Sequence, residues 1–467
     1  MPKHPMADVV VLLPGILGSV LERDGREVWA PTPGAVWRGL WRLGRSVQEL
    51  RLGEDPHEED DLGDGVRATR LVPDVHLVPG LWSIDGYSGI RNMILNNFAV
   101  EPGMTYLECP YDWRRDNRVA ARTLARLVTP ALREVRRHNP DAKLVLLGHS
   151  MGGLVARYFL ECLDGWRDTR MLITFGTPYR GSLNALNFVA NGFRKRIGPL
   201  TLLDLTDLLR SLTSVYQLLP VYECLDLGGS APVRAAESQG VPFLDTDRAA
   251  AALRDFHRAI EAGVGGRPER AYEVHPVVGL TQPTAQSARL VRGTLETART
   301  RLDSSGRLVD ESGDGTVPRV SATPIELGSR PPAVYARQRH GSLQNVDNVH
   351  VQLLGLLTQV ADLGDVRDVR AGLALILDDV FAPDEPVAVQ VEVPRIGLAA
   401  AVTDLGTGVT GDPVPLADAG DGRHAVELPP LPPGEYRVTI AGSGEADRLV
   451  APVGGLLMVP GAEPAAP

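Results

Sequence analysis

Ser150 stands in Gly148-His149-Ser150-Met151-Gly152, a serine with a glycine two residues to either side. A serine hydroxyl is a weak nucleophile at neutral pH. It needs a histidine near enough to take its proton, and that histidine needs a carboxylate to hold its tautomer and stabilise the imidazolium. The chemistry such a group performs is acyl transfer through a covalent acyl-serine. In a chain with 49 glycines the string alone could arise by chance, so its context decides. Leu144 to Leu147 is a short apolar run that reads as a buried strand. Leu154, Val155, Tyr158 and Phe159 then recur at three and four, as on a helix. Strand, sharp turn and helix make the motif a nucleophile elbow. There the serine backbone is strained, side chains two before and two after would clash, and the hydroxyl stands clear at the positive end of the helix.

This context predicts an α/β fold of the α/β-hydrolase type, in which the serine is followed along the chain by the acid and then the histidine. Asp314, in Gly313-Asp314-Gly315, is the favoured acid, because flanking glycines suit a tight loop at a strand end. An ordinary Asp-Gly turn is the alternative. His340, His350 and His424 follow it. His350 falls inside an apolar helical pattern and His424 in a separate β-rich region. His340 lies in a loop just before the helical pattern and is the favoured base. Val9 to Leu13 reads as a buried strand, and Pro14-Gly15-Ile16-Leu17-Gly18-Ser19 follows as a glycine-punctuated turn. An early strand and turn of this kind supply one backbone N–H of an oxyanion hole, and the residue after the serine supplies the other. Ile16 and Met151 are the candidates, with a plain strand-ending turn as the alternative for Ile16.

Other elements must carry these residues. Strands are expected at Tyr106–Glu108, Arg170–Phe175, Val274–Leu280 and Ala333–Tyr335. Helices are expected at the end of Ile84–Phe98, at Arg118–His138, at Ala249–Ile260 and at Val346–Val360. Residues 1–380 read as the catalytic domain. Within it, 25–105 is an irregular insert holding Trp29, Trp37, Trp41 and Trp82, which either line an apolar substrate lobe or fill the insert's own core. Asp112 and Arg114 touch substrate or form a structural ion pair at a strand end. Residues 183–270, strongly apolar from Leu183 to Asp226, read as a helical cap or lid, with plain core packing as the alternative for the apolar stripe. Period-two alternation at 387–393, 424–428 and 436–440 predicts a small β-sandwich over 385–460, with a disordered tail from 460.

Composition sets limits. Hydrophobic residues make up 43% and charged residues 23%, as in ordinary globular proteins. A net charge of −10 disfavours nucleic acid and anionic membrane surfaces as partners. The acidic stretch 54–61 reads as a solvated loop, a cation site being the less favoured alternative. Cys109, Cys162 and Cys224 have neither metal-ligand spacing nor a disulfide framework, so free thiols are expected. No cofactor or metal is indicated. No window reaches the length of a membrane span and no signal peptide is recognised, so the expectation is a cytoplasmic protein.

Several motifs together resemble the lecithin:cholesterol acyltransferase-like family, which includes lysosomal phospholipase A2 and phospholipid:diacylglycerol acyltransferases. The matching pieces are Leu13-Pro14-Gly15-Ile16-Leu17-Gly18-Ser19, Pro110-Tyr111-Asp112-Trp113-Arg114, the Ser150 elbow, Gly176-Thr177-Pro178 and Gly313-Asp314-Gly315-Thr316-Val317-Pro318, in the family's order. The resemblance implies an acyl-enzyme mechanism on ester-linked acyl chains, with Ser150, Asp314 and His340 as triad and Ile16 and Met151 as oxyanion donors. It also implies a mobile lid and a transient contact with a lipid interface. The chain lacks the paired cysteines of the secreted animal members and carries an added C-terminal region, which puts a sterol substrate in doubt. Hydrolysis of lipid acyl esters, transfer of the acyl group to a lipid alcohol, and a catalytically idle binding protein are the readings carried forward. A small-molecule esterase that needs no lipid interface is a further alternative.

Overall fold

A computed structural model of the 467-residue chain describes residues 2–30, 48–73, 76–78, 82–197, 200–229, 231–268, 271–303, 305–327, 334–358, 372–393 and 396–461. Its centre is a sheet of six strands, all paired in parallel. In chain order the sheet and the helices around it are β1 (Val9–Leu13), β2 (Tyr106–Glu108), α1 (Asn117–Val135), β3 (Leu144–His149), α2 (Met151–Cys162), β4 (Thr169–Phe175), α3 (Leu183–Asn191), β5 (Glu273–Gly279), β6 (Val334–Ala336) and α4 (Asp347–Thr358). The strands lie in the order β6-β5-β4-β3-β1-β2.

Alternation makes the two faces. Val9, Val11 and Leu13 of β1, with Leu144 and Leu146 of β3, face one core, shared with α1 and α2. Val10 and Leu12, with Val145 and Leu147, face the other, shared with α4 and a helix at Ser88–Asn97. Near-continuous apolar strands are what a parallel sheet covered on both sides requires. The chain leaves β1 toward β2 at one edge and continues from β3 toward the other. The switch point is therefore between β1 and β3, where open parallel sheets form their binding crevice at the strands' C-terminal ends.

The region after β1 is more regular than its composition suggests. Ser19–Arg23, Arg26–Trp29 and Val66–Leu71 form a three-stranded antiparallel sheet. Periodicity is weak there because the strands are short and their burial does not alternate: Ser19, Val20 and Leu21 are buried in succession. Trp29 is buried in the main core, edge-on to Trp113, with its indole N–H donated to the Leu17 carbonyl. Trp37, Trp41 and the Trp82 side chain lie outside the described residues. The acidic stretch is not simply solvated. Asp55 pairs with Arg115 at 2.9 Å, and Asp60 pairs with Arg122 and Arg126 of α1.

The segment after β4 is helical only in part. After α3 the chain makes an antiparallel pair, Arg194–Ile197 with Leu200–Asp204, before short helices at Thr206–Ser211 and Thr213–Tyr216. Gly192, with φ 76°, ends α3 before Arg194. The C-terminal strands are β7 (Ala374–Leu377), β8 (Val387–Glu392), β9 (Leu398–Asp404), β10 (Val414–Pro415), β11 (Ala417–Gly420), β12 (Arg423–Leu428), β13 (Gly434–Gly442) and β14 (Val453–Val459). They form two four-stranded antiparallel sheets, β7-β8-β12-β11 and β10-β9-β13-β14, closed over one apolar core. Val387, Val389 and Val391 point into it while their neighbours are exposed. Leu456 and Met458 of β14 also join the main core, so the two parts pack together. Among the described residues no helix is long and apolar enough to cross a membrane.

Candidate active site

Ser150 sits between β3 and α2 with φ 51° and ψ −123°. Such a conformation is costly for a side-chain-bearing residue and persists only where the surroundings enforce it. Two glycines make room. A Cβ on Gly152 would stand 2.4 Å from the Pro14 carbonyl oxygen, so β1's loop can reach the elbow only past a bare backbone. Gly176, after β4, has φ 58°, and a Cβ there would stand 2.8 Å from Asp314 Oδ2 and 2.9 Å from His340 Nδ1. The next residue, Thr177, donates its hydroxyl to the Ser150 carbonyl at 2.9 Å and steadies the turn.

The structure brings together the three residues singled out from the sequence. His340 Nε2 lies 2.9 Å from Ser150 Oγ, and His340 Nδ1 lies 2.8 Å from Asp314 Oδ2. All three are buried. Asp314 is held from the other side: Oδ1 accepts the N–H groups of Thr316 at 2.9 Å and Val317 at 2.7 Å. His340 N–H donates to the Asp314 carbonyl at 2.9 Å, which fixes the two loops to each other. Asp314 follows β5 and His340 follows β6, so every member comes from the C-terminal rim of the sheet. His350 turns instead to the Gln344 carbonyl, and His424 lies in β12.

Ile16 lines the cavity beside Ser150 and His340. Met151 opens α2, where a backbone N–H has no intrahelical partner. Among the described residues neither amide donates to a protein acceptor. The cavity, about 60 Å³, is walled by Ile16, Leu17, Phe188, Leu209, Val215 and Leu218. Four of these belong to the segment that follows β4.

Two partners were not foreseen. Tyr87 Oη accepts the Gly15 N–H at 2.7 Å and stands 2.9 Å from His149 Nδ1. His149 Nε2 stands 3.2 Å from the His340 carbonyl. The arrangement is satisfied if Tyr87 donates to Nδ1 and a neutral His149 donates from Nε2. Burial, with His340 adding to it, pushes His149 down to about 3, so the ring is neutral at ordinary pH. His149 was visible as part of the elbow; Tyr87 carried no local signal. Asp112 and Arg114 form a structural pair. Arg114 is fully buried and bonds Asp112 at 2.6 Å and Asp64 at 2.9 Å. Around it Tyr111 Oη donates to the Pro14 carbonyl at 2.7 Å and Trp113 Nε1 to the Ser19 carbonyl at 3.1 Å, so this motif props the turn after β1. Cys109, Cys162 and Cys224 are free thiols. Among the described residues no group of three His, Cys, Asp or Glu is placed to hold a metal.

Residues 84–251 match the model of the lecithin:cholesterol acyltransferase family. Over that segment the chain is similar to this family. The match includes Ser150 and ends before Asp314 and His340. A lysosomal phospholipase A and acyltransferase of Rattus norvegicus is 26% identical over 277 residues, covering 54% of this chain and 60% of the relative. The Homo sapiens protein of the same name is 33% identical over 151 residues, covering 31% and 35%. A phosphatidylcholine-sterol acyltransferase of Gallus gallus is 28% identical over 134 residues, covering 28% and 32%. The chain thus spans 60% or less of the length of these relatives.

Proposed function

We propose that this lecithin:cholesterol acyltransferase-like chain cleaves acyl esters of lipids through an acyl-enzyme on Ser150. The observation that carries the reading is the pair of short contacts at His340, 2.9 Å to Ser150 Oγ and 2.8 Å to Asp314 Oδ2, at the edge of an apolar cavity. Neutral His340 takes the hydroxyl proton on Nε2 as Oγ bonds to the ester carbonyl carbon. Asp314 holds the Nδ1–H tautomer and stabilises the imidazolium. The carbonyl oxygen becomes an oxyanion and takes hydrogen bonds from the Ile16 and Met151 N–H groups, each typically worth ~2.7–4 kcal/mol in sites of this kind. The tetrahedral centre collapses, the C–O bond to the alcohol breaks, and His340 returns its proton to the leaving oxygen. Water or a second alcohol then attacks the acyl-serine by the same steps in reverse.

The names of the relatives and the apolar walls around Ser150 support a lipid acyl chain as the group held there. The walls also favour the second reading, transfer to an alcohol, because a dry site disadvantages water as acceptor. Labelling with a fluorophosphonate tests the nucleophile: the wild type takes the label and Ser150→Ala does not. Incubation with a phospholipid carrying a labelled acyl chain, plus a long-chain alcohol, tests the fate of that chain. Free acid alone excludes transfer, and the alcohol ester establishes it. No label and no product would leave the chain as a binding protein on a hydrolase fold.

A further inference from the structure

A cavity of about 300 Å³ opens where β13 and β14 of the C-terminal sheets meet the stretch between β6 and His340. It is separate from the cavity at Ser150. Arg337 and Arg339 reach it from that stretch and Arg437 from β13. Arg437 is neutralised by Asp85 at 2.7 Å. Among the described residues neither the Arg337 nor the Arg339 guanidinium donates a hydrogen bond or forms an ion pair. Asp379 attracts Arg339, but that carboxylate is bonded to Lys195 Nζ at 2.5 Å. Behind Arg339 lies Gly455, where a Cβ would stand 2.8 Å from Nη1, so the guanidinium comes this close only because that residue has no side chain.

The remaining wall is polar. Val346, Asp347 and Asn348 open α4 onto the same space, so the positive end of that helix faces the cavity. Asn348 Oδ1 is buried without a hydrogen-bond partner. Among the described residues the carboxylates that face the cavity are Asp85, already paired, and Asp347. Two guanidinium groups that line one cavity, partly withdrawn from water and without a bonded carboxylate, lose hydration with little recompense. Burial accordingly lowers the Arg339 pKa, with Asp379 only partly opposing it.

We propose that this cavity binds the phosphate group of a phosphate monoester, gripped by Arg337 and Arg339. Guanidinium forks match the oxygens of a phosphate two at a time, and a pair of them suits a dianion. The volume exceeds what a bare phosphate fills and lies at the small end of ligand pockets, leaving room for a modest organic group. Because Arg339 immediately precedes His340, the bound ligand ties the loop that carries His340 to the β-sandwich. The site does not depend on what Ser150 does.

Calorimetric titration of the full chain with inorganic phosphate and with glycerol phosphate, at constant ionic strength set by chloride, tests it. Flotation with phosphatidylcholine vesicles, with and without phosphatidic acid, forms the second arm. The expected result is binding below about 1 mM that weakens about tenfold or more in Arg339→Gln and again in Arg337→Gln. A melting curve without ligand reports folding of each variant, and Arg337→Gln carries the test if Arg339→Gln is unfolded. Binding to phosphatidic acid vesicles alone, lost in the variants, assigns the phosphate to a lipid headgroup at the same site. Absence of binding in both arms, or binding that folded variants retain, overturns the proposal.

Discussion

Tyr87 Oη lies 2.9 Å from His149 Nδ1 and also accepts the Gly15 N–H at 2.7 Å, so one phenol joins the turn after β1 to the elbow. Through His149 Nε2 the connection reaches the His340 carbonyl. Removing the hydroxyl in Tyr87→Phe leaves a buried donor and a buried acceptor without partners, each a loss of about 1–3 kcal/mol. The turn that carries Ile16 is then less firmly held against the oxyanion. Expected is a fall in kcat of about ten- to a hundredfold with a smaller change in KM, the pattern of a group that acts in the transition state. An equal loss in His149→Gln and in the double variant would show that the two side chains work as one unit.

Gly176→Ala isolates the geometry of the acid–base pair. The added Cβ meets Asp314 Oδ2 and His340 Nδ1, both held by backbone hydrogen bonds, and φ 58° strains any side chain. Destabilisation of about 1–3 kcal/mol is expected. A loss of kcat on a chromogenic ester, measured where the variant is still folded, checks that the Asp314–His340 contact is what the glycine protects.

Asp314→Asn keeps the shape and removes the charge that favours the Nδ1–H tautomer. A fall in kcat of about 10³–10⁴-fold is expected, with fluorophosphonate labelling of Ser150 slowed in parallel. Combining it with Ser150→Ala adds little further loss, because the members of such a group act together. Steady-state rates on one ester series settle both points.

Arg114 belongs to packing, so its variants separate folding from chemistry. Arg114→Met leaves Asp112 and Asp64 without their cation in a partly buried setting, at about 3–5 kcal/mol. Denaturant unfolding should show that loss. Activity per folded molecule should stay near wild type, since Arg114 touches the turn only through its neighbours.

His149 and His257 give stability a pH dependence of known sign. Burial lowers them to about 3 and about 4, below the value of 6.5 they regain on unfolding. Between these limits the unfolded chain binds more protons, so stability is complete above pH 6.5 and falls as pH drops through the window. Each contributes a slope of about 1.4 kcal/mol per pH unit where only the unfolded form is charged. Chemical denaturation at pH 7 and pH 5 should show the loss, and it should shrink in His257→Gln.

Elements with a strong local signal were legible. The strands at Val9–Leu13 and Tyr106–Glu108 stand where their apolar runs placed them, and the helix after Ser150 follows its three-and-four spacing. The antiparallel sheet after β1 and the pairing of Arg194–Ile197 with Leu200–Asp204 were not, because strands of four to six residues are too short to establish a period. Strands β9 and β14 escaped for a related reason: alanines and glycines carry too weak a hydropathy contrast to mark a face.

What the sequence determined by itself is therefore local. Strand, turn and helix around Ser150, and the glycine-flanked Asp314 loop, follow from neighbours a few residues apart. Only the tertiary structure decided which loops share a rim, that Tyr87 completes the support behind His149, and that Arg337 and Arg339 face one cavity without a bonded carboxylate. Periodicity reports which side of an element is apolar. It carries no information on which distant element covers that side, and a contact between residues 62 or 190 positions apart is set by that packing alone.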